Sequence, residues 1–167
     1  MYMPEITLRS ATSDDLEAIL HIYNQGIDDR IATLEVELKD LDYMTSWLNS
    51  RGERYTVLIA MINESVVGWA SLNRYSLRAV YDGVADLSIY IERSHRGRGI
   101  GQKLLQALEL IAIQNGFHKI VLFTFPFNEQ GQGLYRKSGF REVGVFHEQG
   151  ILDDKLVDVM AMEKLLL

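Results

Sequence analysis

The sequence predicts an α+β domain built on a mixed central β-sheet of about six to seven strands flanked by about four helices. Three observations carry that expectation. Apolar patterns of period two and period 3.6 follow one another as strand, helix, helix, hairpin, strand, helix, strand, helix and two strands. The 167 residues, 47% hydrophobic and 24% charged, suit one compact body with a sizeable core. No repeat, linker or low-complexity segment interrupts them, so residues 1–167 are expected to form a single domain.

The elements follow in order. EITLRSA (5–11) alternates as a strand does. Thr12-Ser13-Asp14-Asp15 has the cap residues and first-turn acids of a helix start, and Leu16, Ile19, Leu20, Tyr23 and Ile27 recur at helical spacing, giving a helix over 13–29. A shorter helix near 40–50 carries Leu41, Met44, Trp47 and Leu48. YTVLIAMI (55–62) and VVGWASLNRY (66–75) flank Asn63-Glu64-Ser65 and read as a β-hairpin. Tyr81-Asp82-Gly83 turns the chain into a third strong strand, VADLSIYIE (84–92). The next helix, 99–115, lines up Leu104, Leu108, Ile111 and Ala112 and stops at Asn115-Gly116. HKIVLFTF (118–125) is a buried strand closed by Pro126, and a short helix over 129–138 ends at Gly139-Phe140. Strands at 141–149 and near 156–164 are joined across Asp153-Asp154.

Composition excludes several functions. A net charge of −6 argues against nucleic-acid partners, whose phosphates demand basic surface. The chain has no cysteine, so disulfides, thiolate ligands and a cysteine nucleophile are ruled out. The four histidines lie far apart without ligand spacing, so no metal is expected. No apolar run is long enough to span a bilayer and the N-terminus lacks a signal-peptide pattern; no membrane association and a cytoplasmic location are the expectation.

Against that acidic background, RSHRGRGIG (93–101) packs three arginines and three glycines between a strand and a helix. The first N–H groups of a helix have no intrahelical partner and carry partial positive charge, worth roughly 0.3–2 kcal/mol to an anion. Gly97, Gly99 and Gly101 permit positive φ and close approach of a ligand to the backbone. The turn reads as a site for a small phosphorylated ligand. It is not a P-loop, since no Gly-Lys-Ser/Thr occurs, and the dinucleotide fingerprint fails at Leu104.

Arg96-x-x-Gly99-x-Gly101, placed after a strand and opening a helix, resembles the pyrophosphate-binding signature of the GCN5-related N-acetyltransferases (GNAT). Asn128-x-x-Gly131-x-x-Leu134-Tyr135-x-Lys137-x-Gly139-Phe140 is similar to the same family's downstream segment, with glycine at 131 and 133 where helix formers are usual. Stretches 22–35, 68–90 and 140–159 look like the phosphinothricin acetyltransferase branch, closest to its arsinothricin-resistance members.

The resemblance implies a GNAT fold, acetyl-CoA (coenzyme A) as cofactor and direct transfer to an amine in a ternary complex. Cofactor contacts are implied for Leu87, Ile89, Tyr90 and Ile91 through main chain, for Arg96, Gly97, Arg98, Gly99, Ile100, Gly101 and Gln102 at the helix start, and for Asn128 and Lys137 downstream. Asn128 is equally a natural helix cap. Tyr135 is implied as the acid serving the departing thiolate, and Asp86 as base or relay, where relatives usually carry glutamate. An ordinary aspartate near 3.9 and an α-amino group near 8 differ by about 4 units, leaving direct proton transfer roughly 5.5 kcal/mol uphill.

The implied acceptor is a small molecule bearing an amine, a glutamate-like phosphinic or arsinic amino acid, methionine sulfone or methionine sulfoximine. Arg78 and Tyr81 match positions that grip its anionic groups, with Arg30 and Arg74 as neighbours, because arginine pairs carboxylate or phosphinate in a bidentate way. Ser76 and Asp153 depart from residues that phosphinothricin-specific enzymes can carry. A peptide acceptor or a non-catalytic coenzyme A module are the alternatives, and a homodimer is implied by resemblance alone.

Overall fold

The computed structural model describes residues 4–31 and 33–166. Seven strands form one sheet: β1 (Thr7–Ser10), β2 (Val57–Ile62), β3 (Ser65–Arg74), β4 (Val84–Ile91), β5 (Lys119–Thr124), β6 (Arg141–Leu152) and β7 (Lys155–Leu165). Their spatial order is β1-β2-β3-β4-β5-β7-β6. Every neighbouring pair is antiparallel except β4 and β5. The two hairpins, β2–β3 and β6–β7, turn through two residues with positive φ: Asn63 (49°) and Glu64 (67°), and Asp153 (49°) and Asp154 (64°). Both dihedrals positive is the type I′ geometry, whose twist matches that of paired strands.

Alternation along β2 to β5 divides the side chains between two cores. On one face lie α3 (Ile100–Gln114) and α4 (Glu129–Lys137), where Leu104 and Leu108 pack fully buried against Ala70, Leu72, Ala85, Ile120 and Met162. Each such leucine contributes roughly 1.5–3 kcal/mol. The other face carries α1 (Leu16–Asp29) and α2 (Leu41–Asn49), whose Ile19, Ile22 and Met44 close over Val57, Ile59 and Trp69. Both tryptophans serve this second core, Trp47 edge-on to Trp69 with centroids 5.4 Å apart. No helix among the described residues is long and apolar enough to cross a membrane.

Differences from the expected boundaries have local causes. Residues 13–15 form a 3-10 turn rather than the first turn of α1, and Asp15 there accepts from the Thr12 N–H at 2.8 Å and from Arg9 on both oxygens. β6 continues to Leu152, past the expected end at 149. Its pairing with β7 shifts register between Glu142 and Gly144 and between Phe146 and Gly150, so the period-two pattern breaks although the strand does not.

Candidate active site

The site is built where the sheet parts. β4 pairs with β3 over its length, from Ala85 opposite Arg74 to Ile91 opposite Gly68. On its other edge it meets β5 at only Val84, Ala85 and Asp86, and the strands then diverge. The Glu92 N–H is spent on the Val67 carbonyl, so alternation directs the N–H and C=O groups of Leu87, Ile89 and Ile91 into the gap. The Tyr90 backbone consequently faces Trp69 on β3 rather than the gap, against the expected main-chain role, while its side chain packs toward α1. Its ring packs 2.8 Å from where a Cβ on Gly26 would lie, so a glycine in mid-α1 is what admits it.

At the wide end of the gap a cavity of about 380 Å³ runs to the start of α3. Gly97 (φ 77°) and Gly99 (φ 82°) are both left-handed, and Gly99 is the N-cap of α3, so the first amides of the helix are bare toward the cavity. Arg96 lines it, held by Asp29 of α1 at 2.7 Å and donating to the Ile91 carbonyl at 3.3 Å. Arg93 clasps the same Asp29 at 2.6 Å. Those guanidinium bonds hold the Asp29 carboxyl below its usual range against the opposing effect of burial. Gln102, Ile100, Gly101, Lys137 and Asn128 complete the expected lining, whereas Arg98 is exposed outside it.

Asn128 is the N-cap of α4: its Oδ1 accepts from the Gly131 N–H at 3.1 Å and its Nδ2 donates to Thr124 Oγ1 at 3.1 Å. A Cβ on Gly131 would stand 2.4 Å from that amide nitrogen, which explains glycine in place of a helix former. Gly101 has a similar role, because a Cβ there would meet Leu134 at 2.8 Å and push α3 from α4.

Midway along β4, a smaller cavity of about 200 Å³ is bordered by Asp86, Leu87, Ser88, Ile89, Tyr90 and Tyr135. It shares Ile89, Tyr90 and Tyr135 with the cavity at the start of α3, so the two adjoin. Burial pushes the Asp86 carboxyl up from the ordinary 3.8 to about 6, although bonds from Asn73 and the Leu87 N–H pull it the other way. Burial first, then the neighbouring Tyr90 and Asp86, raise the Tyr135 phenol above its usual range, so it keeps its proton at neutral pH.

Beyond Asp86 a third cavity of about 530 Å³ opens beneath the β3–β4 connection, lined by Arg74, Tyr75, Ser76, Arg78, Tyr81 and Phe123 as well as Asp86 itself. Tyr75 and Tyr81 stand edge to face, 5.8 Å apart at 90°. Arg74 leans on Asp82 at 3.6 Å and on the Ser76 carbonyl at 3.1 Å. Arg78 commits its backbone N–H to Ser76 Oγ at 3.2 Å, and its exposed guanidinium lines the cavity. Arg30 is not brought to this group. It ends α1 in the left-handed conformation (φ 57°), which turns its side chain to Asp153 at 3.3 Å and to the Ile27 carbonyl at 2.9 Å.

Sequence reasoning missed Asp29, Gly26, Asn73 and Arg51. Two of these left a signal. Asp28 and Asp29 end a helix whose dipole disfavours acids there, which betrays basic partners, and Gly26 costs stability in a helix interior unless something must come close.

A mixed sheet that parts between two parallel strands, with a bare helix start at one end of the parting and a buried carboxyl at the other, is the arrangement of an acyltransferase. Comparison with known proteins sets the family. The chain belongs to the acetyltransferase (GNAT) family, whose model matches residues 17–140. It is 34% identical over 155 residues to Bacillus subtilis YwnH, which carries a provisional phosphinothricin acetyltransferase name, covering 92% of this chain and 95% of that one. It is 30% identical to the L-methionine sulfoximine/L-methionine sulfone acetyltransferase of Pseudomonas aeruginosa, covering 94% and 92%. Among solved structures, a Sinorhizobium meliloti phosphinothricin acetyltransferase in complex with acetyl-CoA superposes with a TM-score of 0.91 at 26% identity, covering 96% and 88%. A Brucella melitensis ribosomal-protein-alanine N-acetyltransferase gives 0.93 at 31%, covering 96% and 99%.

Proposed function

We propose that the chain transfers an acetyl group from acetyl-CoA to the α-amino group of a small amino-acid analogue carrying a second anionic or strongly polar group, of the phosphinothricin, arsinothricin, methionine sulfone or methionine sulfoximine type. One observation carries this reading: Asp86 borders both the cavity that adjoins the one at the start of α3 and the cavity lined by Arg74, Arg78 and Tyr81. When bound, acetyl-CoA supplies the acetyl thioester. The bare amides at the start of α3 hold its pyrophosphate, and the gap-facing backbone of Leu87, Ile89 and Ile91 orients the extended arm as a neighbouring strand would. A backbone N–H in that row polarises the thioester carbonyl. Arg78 and Tyr81 grip the acceptor's anionic end and orient its amine toward Asp86.

Asp86 takes the proton from the amine, directly or through water, and Tyr135 donates its phenolic proton to the sulfur as the thiolate departs. Raising Asp86 to about 6 narrows its gap to an α-amino group near 8 to about 2 units, so proton transfer costs about 3 kcal/mol rather than 5.5. The protein works as a cytoplasmic homodimer on this reading, which rests on family resemblance.

The Brucella neighbour supports a second reading, acetylation of a protein N-terminus. Release of coenzyme A thiol is measured with phosphinothricin, arsinothricin, methionine sulfone, methionine sulfoximine, glutamate and short peptides. Turnover on the small acceptors is the expected result. Turnover on peptides alone would overturn the first reading in favour of the second.

A further inference from the structure

Behind Asp86 lies a set of bonds that the reaction above does not use. Asn73 on β3 stands directly across from Asp86, and its amide makes four hydrogen bonds, the full capacity of that group. Its Oδ1 accepts from Arg51 at 2.9 Å and from Ser71 Oγ at 2.9 Å. Its Nδ2 donates to Asp86 Oδ2 at 3.2 Å and to Ser88 Oγ at 2.9 Å. Arg51 sets the sense of this amide, because a guanidinium can only donate. Flipped, Asn73 would point N–H at the guanidinium and oxygen at the carboxylate.

Arg51 is itself pinned. It follows α2, donates to the Tyr55 carbonyl at 2.9 Å and to the Leu72 carbonyl, and lies over the Trp47 ring at 4.7 Å. It lines neither cavity that Asp86 borders. Burial without an acidic partner lowers its own basicity to about 10.

We infer that Asn73 and Arg51 are positioning residues for Asp86: the guanidinium fixes the amide, and the amide fixes the carboxylate against β3 and limits its basicity. This rests on the reading of Asp86 as the base. The remaining charged and titratable groups around Asp86 are Arg74 on β3, Tyr90 on β4, Tyr75, Arg78 and Tyr81 in the β3–β4 connection and Tyr135 on α4; β5 presents Phe123 and Thr124, neither of which carries a charge. Among the described residues no second carboxylate borders either cavity, so the Asn73 amide and the Leu87 N–H are the groups that oppose burial.

The test follows the Asp86 carboxyl by 13C NMR titration of the ligand-free protein, alongside the acidic limb of kcat. Asn73→Leu removes the donor at nearly constant volume and is expected to raise the Asp86 titration by about one unit, the size of a charged hydrogen bond. The kcat limb should move with it while KM for acetyl-CoA stays put. Arg51→Met should move the titration in the same direction and Arg51→Lys should restore it. An unmoved titration in folded Asn73→Leu overturns the inference. Should that variant not fold, the isosteric Asn73→Asp places a carboxylate beside Asp86 and is expected to raise the titration further; no rise overturns the inference equally. A titration that moves while the kcat limb stays fixed upholds the positioning role and removes Asp86 as the base.

Discussion

Asp86→Asn should make the protein more stable while removing most of its activity. The Asp86 carboxyl is held at about 6 when folded, against an ordinary 3.8 for the unfolded chain. A folded value above the unfolded one means that the stability contribution is fully present below about pH 4 and is lost as pH rises through about 6. The difference of about 2 units corresponds to about 3 kcal/mol at pH 8, and partial solvent access trims it to about 2 kcal/mol. At pH 4 the same linkage leaves about 0.5 kcal/mol. Asparagine fits the site, since its Oδ1 can accept from Asn73 and Leu87 while carrying no charge to desolvate. The expected result is a variant about 2 kcal/mol more stable than the parent at pH 8, or roughly 5 °C in Tm, with the advantage nearly gone at pH 4. Urea unfolding of both proteins at pH 4, 6 and 8 measures it, and kcat should fall by about a hundredfold or more. An advantage that does not change with pH, or a variant weaker at pH 8, would refute the reasoning.

Arg78→Ala should raise KM for the acceptor by roughly tenfold or more and leave acetyl-CoA affinity intact by calorimetry, because Arg78 lines the cavity proposed for the acceptor and not the one at the start of α3. Tyr135→Phe should lower kcat by about a hundredfold with little change in KM for acetyl-CoA, and a leaving group more acidic than coenzyme A should recover part of the loss. The two glycines of α4 should part company in thermal melts. Gly133→Ala meets nothing within 4 Å and should stabilise by up to about 1 kcal/mol, whereas Gly131→Ala drives a Cβ into the Asn128 cap, losing about 1 kcal/mol and weakening acetyl-CoA binding.

The shape of the turn at 93–101 was legible because it is local. The glycines at 97 and 99 advertise positive φ, and a strand, a turn and a helix start stand next to one another in the chain. Asp86 and Tyr135 were legible through motif resemblance, but their convergence on one cavity depends on β4 and β5 diverging after three pairs, which no residue pattern announces. Asn73 was hidden for a related reason: its tie to Asp86 is set by the β3–β4 register and its tie to Arg51 spans 22 residues. Arg30 shows the opposite failure. A basic residue near the right loop looks like a ligand until the left-handed cap at the end of α1 turns it toward Asp153.

The parting of β4 from β5 also decides where this sheet is sticky. A bare strand edge invites another chain to pair with it, and proteins usually manage that hazard at the rim. Here the rim is blunted, by a four-residue β1 on one side and a twice-interrupted β6 on the other. The open edge of β4, at Leu87, Ile89 and Ile91, sits instead in the middle of the sheet, with α3 and α4 closing one side and Tyr90 and α1 the other. A strand entering there would have to place side chains on both faces of the sheet, where α1, α3 and α4 already stand. The open hydrogen-bonding edge of this sheet is therefore an internal one, shielded by helices rather than by the strands at its rim.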